Sequence, residues 1–237
     1  MALMQYETLG LKEIAIPFAI VYVDHNMLQL DHCNPDDHLF LQTFTSRHGI
    51  HFSKPGNGIC HQVNVERFAA PGLTLIGSDS HTPTSGALGC LAIGAGGLDV
   101  GVVLGGHPFG LTTPIVVRVV LKGKLSPWVA SKDIILEMLR RLSVKGGVGK
   151  IYEFAGEGIK TLSVTRRATI ANMITELGAT SAVFPSDERT LEFLRLQKRE
   201  GCFKPIESDP DAQYDEEMVI DLWSLILPWL MVIAVVT

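Results

Sequence analysis

Residues 77–89 read "GSDSHTPTSGALG", setting Asp79, Ser80 and His81 side by side before a run of small residues. Carboxylate, hydroxyl and imidazole are the parts of an activated nucleophile, provided the hydroxyl and the carboxylate meet opposite edges of one imidazole ring. In an extended segment successive side chains alternate, which predicts Asp79 and His81 on one side and Ser80 on the other. The surroundings of Ser80 also lack the G-x-S-x-G of a nucleophile elbow. Each of the three is therefore expected to serve a partner elsewhere in the chain. The stretch follows the apolar "LTLIG" and precedes the glycine-rich residues 85–97, so it reads as a strand end turning into a helix start. Backbone N–H groups exposed there suit a carboxylate or phosphate ligand. The same glycines could instead serve close packing of helix on sheet.

All eight histidines, His25, His32, His38, His48, His51, His61, His81 and His107, precede residue 108, which confines imidazole chemistry to the first half. "VDHN" places Asp24 and His25 just beyond the apolar residues 14–23, at the edge where parallel α/β sheets bind ligands. Asp31-His32 and Asp37-His38 repeat the dipeptide in a polar stretch leading into a helix and read as surface residues or caps. His61 follows the tight turn "KPGNG"; in an extended segment it shares a buried face with Ile59, Val63 and Val65, as a core histidine does unless a carboxylate is near. Residues 165–179, "TRRATIANMITELGA", predict a helix with Ile170, Ala171, Ile174 and Leu177 on its apolar side. Asn172 and Glu176 are four apart and share a stripe with Thr165 and Thr169. That stripe is either a solvated face or, if it meets His81 or His61, the place where Glu176 holds an imidazole in one tautomer.

These residues must be positioned by a sizeable core, which a chain of 237 residues with 46% hydrophobic residues, 19% charged residues and a mean hydropathy of +0.25 can build. The net charge of −5 offers no basic face for nucleic acid. Cys33, Cys60, Cys90 and Cys202 have no C-x-x-C spacing and read as reduced thiols of a cytoplasmic protein. Residues 14–23, 73–76, 115–121 and 151–154 predict strands; "NPDDHLFLQTFTSRHG", ending at Gly49, and "SKDIILEMLRRLSVKGG", with Ser131 as N-cap and Gly146 as stop, predict helices. The alternation predicts layered α/β domains with largely parallel sheets. A soft boundary near Pro114 separates a first domain, 1–113, from a second, 114–206. Residues 207–237 remain as an acidic connector and an uncharged tail, 222–237, interrupted by Pro228. The tail is shorter than the roughly 20 residues of a membrane span. It reads as a core element cut off from its partners, as an artefactual end or as a tail anchor; a membrane partner is not favoured.

"VDHN", "HQVNVERFAAPGLTLIGSDSHTPTSGALGCLAIGAGGLD", "LSPW", "SKDIIL", "VKGGVGKIYEFAG" and "ATIANMITELGATSAVFP" occur here in that order. In order and spacing they resemble the N-terminal part of the aconitase family, from about residue 14 to about residue 222. The resemblance implies a hydro-lyase that interconverts citrate and isocitrate through cis-aconitate at a 4Fe-4S cluster. It also implies three carboxylate and imidazole pairs: Asp24 with His25, Asp79 with His61, and Glu176 with His81. His25 would protonate the leaving hydroxyl, Asp79 and His61 would manage the metal-bound water, Ser80 would bind a substrate carboxylate, and Asn172 would support the cluster surroundings.

Departures from the family pattern are equally informative. The family's cluster cysteines lie in G-S-C-T-N and C-G-P-C segments, neither of which occurs here, so no metal ligand is expected from this chain. Its serine base and main substrate arginines lie in later domains, and a substrate-binding glutamine in an earlier segment. The implied picture is a truncated piece, inactive alone and completed by further domains in cis or in trans. Alternatives are an isomerase of the homoaconitate or isopropylmalate type, or a non-enzymatic interaction or RNA-binding fragment, which the acidic balance disfavours. A mononuclear zinc hydrolase built on His25, His61 and His81 has suitable ligand types.

Overall fold

Short parallel strands linked through helices build the chain, and the computed structural model describes residues 1–225. Two compact units form: Met1–Asn64 with Ala95–Leu111, and Val65–Gly94 with Thr112 onward. This division differs from a single cut near Pro114, because Ala87 and Leu88 bury themselves with Val65, Ala69, Val164 and Ala168.

In the first unit, helix α1 (Ala2–Thr8) packs on α4 (Gly97–Leu104), where a side chain at Gly101 would stand 3.0 Å from the Ala2 carbonyl oxygen. Strands β1 (Ile20–Tyr22) and β2 (His51–Ser53) pair in parallel, joined through helix α2 (Cys33–His48), which stops at left-handed Gly49 as its sequence predicts. Only three of the residues 14–23 form strand. Leu3, Tyr6, Phe44, Ile50 and Leu104 make the core, and the Tyr6 hydroxyl satisfies itself on the Glu13 carbonyl at 2.6 Å. Helix α3 (Cys60–Arg67) replaces the expected extended segment around His61, with Val63 and Val65 buried and Ile59 exposed. Beyond the unit boundary, the Arg199 guanidinium donates to the carbonyls of Val65, Glu66 and Ala69, satisfying acceptors that a helix C-terminus leaves unpaired.

The second unit holds a parallel pair, β3 (Thr74–Gly77) with β4 (Leu91–Gly94), and a four-stranded parallel sheet. That sheet runs β7 (Ser181–Val183), β6 (Lys150–Ala155), β5 (Ile115–Lys122), β8 (Glu216–Asp221). Alternation along β5 puts Val117, Val119 and Leu121 into one core with Tyr152 and Phe154 of β6, Ile134, Ile135 and Met138 of α5 (Ser131–Leu142), and Ile170 and Ala171 of α6 (Val164–Met173). Helix α7 (Glu188–Leu196) follows β7, capped by Asp187, whose other oxygen lies 2.7 Å from the fully buried Arg167.

Several local expectations are corrected. Helix α5 has Ala130 rather than Ser131 at its N-cap, where Asp133 accepts the Ala130 N–H at 2.7 Å. It ends at Leu142, before Gly146, whose missing side chain instead lets the chain pass the Leu142 carbonyl. Residues 85–97 form no single helix: a 3-10 helix (Thr82–Leu88) ends at left-handed Gly89 and leads into β4. Part of the expected acidic connector is strand β8, because Met218 and Ile220 alternate toward the core while the acids point outward. Leu222 and Leu225 continue into that core; the rest of the expected tail, 226–237, lies outside the described residues. Among the described residues no helix is long and apolar enough to cross a membrane.

Glu137 on α5 makes a titratable link. Hydrogen bonds from Arg140, opposed by partial burial and reinforced by Arg141, hold its carboxyl down at about 2. A depressed folded pKa adds stability that is present above the unfolded value near 4.5 and lost as pH falls toward 2. Glu137→Gln is expected to lower stability at pH 7 by about 1 kcal/mol, since exposed Arg140 is screened by solvent. The difference should vanish near pH 2 in urea titrations.

Candidate active site

The end of β1 delivers the first cluster. Asp24 and His25 follow the strand directly, and Asp24 Oδ1 lies 2.7 Å from His25 Nδ1. The other oxygen, Oδ2, accepts the backbone N–H of Cys60 at 2.6 Å. Burial pushes the Asp24 carboxyl up, but the Cys60 and His25 hydrogen bonds outweigh it and hold the group below the ordinary carboxylate range. The Asp24 side chain is 10% exposed and that of His25 81%, so a fixed acid carries a solvent-facing ring. His61 follows Cys60 in the first turn of α3, and Asn64 of the same helix accepts the Tyr22 hydroxyl at 3.0 Å.

The second cluster follows the end of β3, within the other unit. Residues 79–81 turn rather than extend: Asp79 Oδ1 accepts the His81 N–H at 2.7 Å, the geometry of an Asx turn. Ser80 consequently does not face away, and its Oγ lies 3.2 Å from His81 Nδ1. Asp79 Oδ1 stands 3.7 Å from the same nitrogen. Because both neighbours meet one edge of the ring, the three residues still cannot form a triad among themselves. The opposite edge, Nε2, reaches Glu176 Oε1 at 3.4 Å.

The helical stripe thus faces His81, and its other polar member joins in. Asn172 donates to Thr84 Oγ1 at 2.9 Å, and Thr84 in turn donates to the His81 carbonyl at 2.6 Å. Glu176 itself sits in a 3-10 turn (Ile174–Leu177) continuing α6. Thr84 and Gly94 are site residues that sequence reasoning missed. A side chain at Gly94 would stand 2.8 Å from the Asp79 carbonyl oxygen, so the glycine lets the turn sit against β4. The signal was present in the matching tetrapeptides "TLIG" and "LAIG", whose terminal glycines pair in register.

A sequence model of the aconitase family (aconitate hydratase) matches residues 15–228. The chain belongs to the aconitase family. Similar relatives include the mitochondrial homocitrate dehydratase of Saccharomyces cerevisiae, 40% identical over 94% of this chain and 30% of that protein. The mitochondrial aconitate hydratases of Arthroderma benhamiae and Schizosaccharomyces pombe are also 40% identical, over 95% of this chain and 31% and 30% of theirs. The chain therefore spans about 30% of the length of these relatives. Their names place those proteins in mitochondria, whereas the thiol pattern here suggested the cytoplasm; the names do not fix this chain's own compartment.

The aconitase family implies a 4Fe-4S cluster, which needs converging thiolates. The residues of this chain do not fit one. Cys33 and Cys202 are exposed, Cys60 is half-buried and Cys90 is buried, with its thiol pushed up to about 12 by that burial. Among the described residues no group of three metal-ligating side chains includes a cysteine. A buried, protonated thiol is inert. Native alkylation at pH 8 is expected to modify Cys33 and Cys202 and to spare Cys90 until denaturant is added, as mass mapping of labelled peptides would show.

Proposed function

We propose that this chain supplies the acid and substrate-orienting part of a hydro-lyase acting on hydroxy-tricarboxylates, and that it is inactive by itself. The observation that carries the reading is the pair of carboxylate-held imidazoles, His25 on Asp24 and His81 on Glu176, each at the mouth of a parallel strand of an aconitase-family chain. Citrate and homocitrate share the chemistry required, a hydroxyl on one carbon, a hydrogen on its neighbour and several carboxylates.

Hydroxide leaves poorly, so the step requires a proton on the departing oxygen. His25 is assigned that role, because Asp24 holds Nδ1 at 2.7 Å and leaves the rest of the exposed ring toward solvent. The C–O bond breaks with its electron pair on oxygen, and water leaves. A positioned acid of this kind contributes about 100- to 10,000-fold. Ser80 is assigned to donate its hydroxyl to a substrate carboxylate, with Oγ held 3.2 Å from His81 Nδ1. Asp79 and His61 are assigned to the water exchanged in the reaction. Thr84 and Asn172 hold the backbone of His81 in place. The carbon-bound proton goes to a base outside the residues assigned here, and the cluster to polypeptide carrying the family's G-S-C-T-N and C-G-P-C segments. That polypeptide acts in cis or in trans.

Two measurements test this. The purified chain, reconstituted with iron and sulfide, is expected to show neither cluster absorbance nor hydration of cis-aconitate; either signal would remove the claim of dependence. In a chimaera where this chain replaces the matching 30% of a fungal aconitate hydratase, activity is expected. There His25→Asn should lower kcat about 100-fold or more with little change in KM. Full activity of that variant would remove His25 from its role.

A further inference from the structure

Asp24 contacts more than its histidine. One oxygen holds the His25 ring at 2.7 Å, and the other accepts the N–H of Cys60, the first residue of α3, at 2.6 Å. The next residue of that helix is His61.

Helix α3 has eight residues, too few to hold itself in water by its own hydrogen bonds. Its first N–H groups need outside acceptors, and a carboxylate is the acceptor the helix dipole favours most. A second tie joins the same two segments: Tyr22, two residues before Asp24, donates its hydroxyl to Asn64 Oδ1 at 3.0 Å. The strand end that presents His25 thus also fixes the turn that presents His61. All of these residues lie within one compact unit.

We propose that Asp24 is a positioning residue for His61 as well as for His25, a single carboxylate setting the ring of one and the helix start that carries the other. The inference rests on the proposed function only in treating His61 as a working residue; the tie itself stands on the geometry of β1 and α3. Two histidines remote in sequence thereby share one anchor. Removing it should disturb both, whereas removing the His25 ring should leave the helix start in place.

Amide hydrogen exchange and histidine ring resonances of the purified chain, followed by NMR, test this. In Asp24→Ala the Cys60 amide is expected to exchange roughly 10-fold faster, as loss of one partly buried hydrogen bond implies. The His61 ring signals should move with it. In His25→Ala, which keeps the carboxylate, Cys60 exchange should stay within about twofold of the parent. Equal exchange in the parent and Asp24→Ala overturns the proposal, and so does acceleration in His25→Ala as large as in Asp24→Ala. Should Asp24→Ala fail to fold, Asp24→Asn replaces it. Its carboxamide turns one of the two acceptor oxygens into an NH2 donor, so with the His25 ring signal unchanged Cys60 exchange is expected to rise, and no change in either overturns the proposal. An inactive chimaera would remove the proposed function without touching this result, and unchanged exchange would remove the shared anchor without touching the chimaera.

Discussion

A single missing side chain governs how the second cluster forms. A Cβ at Gly86 would run into the carbonyl oxygen of Ala182, so the 3-10 helix Thr82–Leu88 reaches β7 only because that position is bare. Once the backbones touch, Ala87 and Leu88 bury against α6 residues Val164 and Ala168. The same approach sets Thr84 against Asn172 and His81 against Glu176. Packing and polar contacts therefore share one cause, and larger residues at 86 would separate the imidazole from its carboxylate as well as open the core.

Both clusters follow the ends of short parallel strands, Asp24 after β1 and Asp79 after β3. This is where parallel α/β structure leaves backbone groups unpaired and side chains free to converge. The acids do structural work there. Asp79 closes a turn through the His81 N–H, and Asp24 caps a helix through Cys60. Each acid orders backbone while facing an imidazole, so rigidity of the ring and local folding are one property. Chemistry that needs a fixed proton donor benefits from such an arrangement, because the geometry is set before substrate arrives.

The aconitase family implies a metal cluster, and the acid and imidazole pairs proposed to act beside it are separable in sequence from the G-S-C-T-N and C-G-P-C segments. Here Cys90 is buried in the core, and Cys60 gives its backbone N–H to Asp24. The imidazole pairs nevertheless form within their own units. Asp24 directly precedes His25 in the chain, and Glu176 reaches His81 from the 3-10 turn that continues α6.

Sequence alone determined the α/β class, the strands at residues 115–121 and 151–154, the Gly49 stop and the polar stripe of Asn172 and Glu176, because each depends on local periodicity or on a residue's own backbone preference. It also brought out the family, through long motifs in order. It misjudged residues 79–81 and 59–65, where alternation suggested extension. In the first, a side-chain carboxylate captured a backbone N–H two residues on; in the second, Asp24 and Arg199, respectively 36 and 130–134 residues away, satisfied the helix ends. Which side chain reaches which backbone group across such separations is decided by tertiary packing. No local pattern encodes it, since the energy of a helix end depends on an acceptor that the segment itself does not contain.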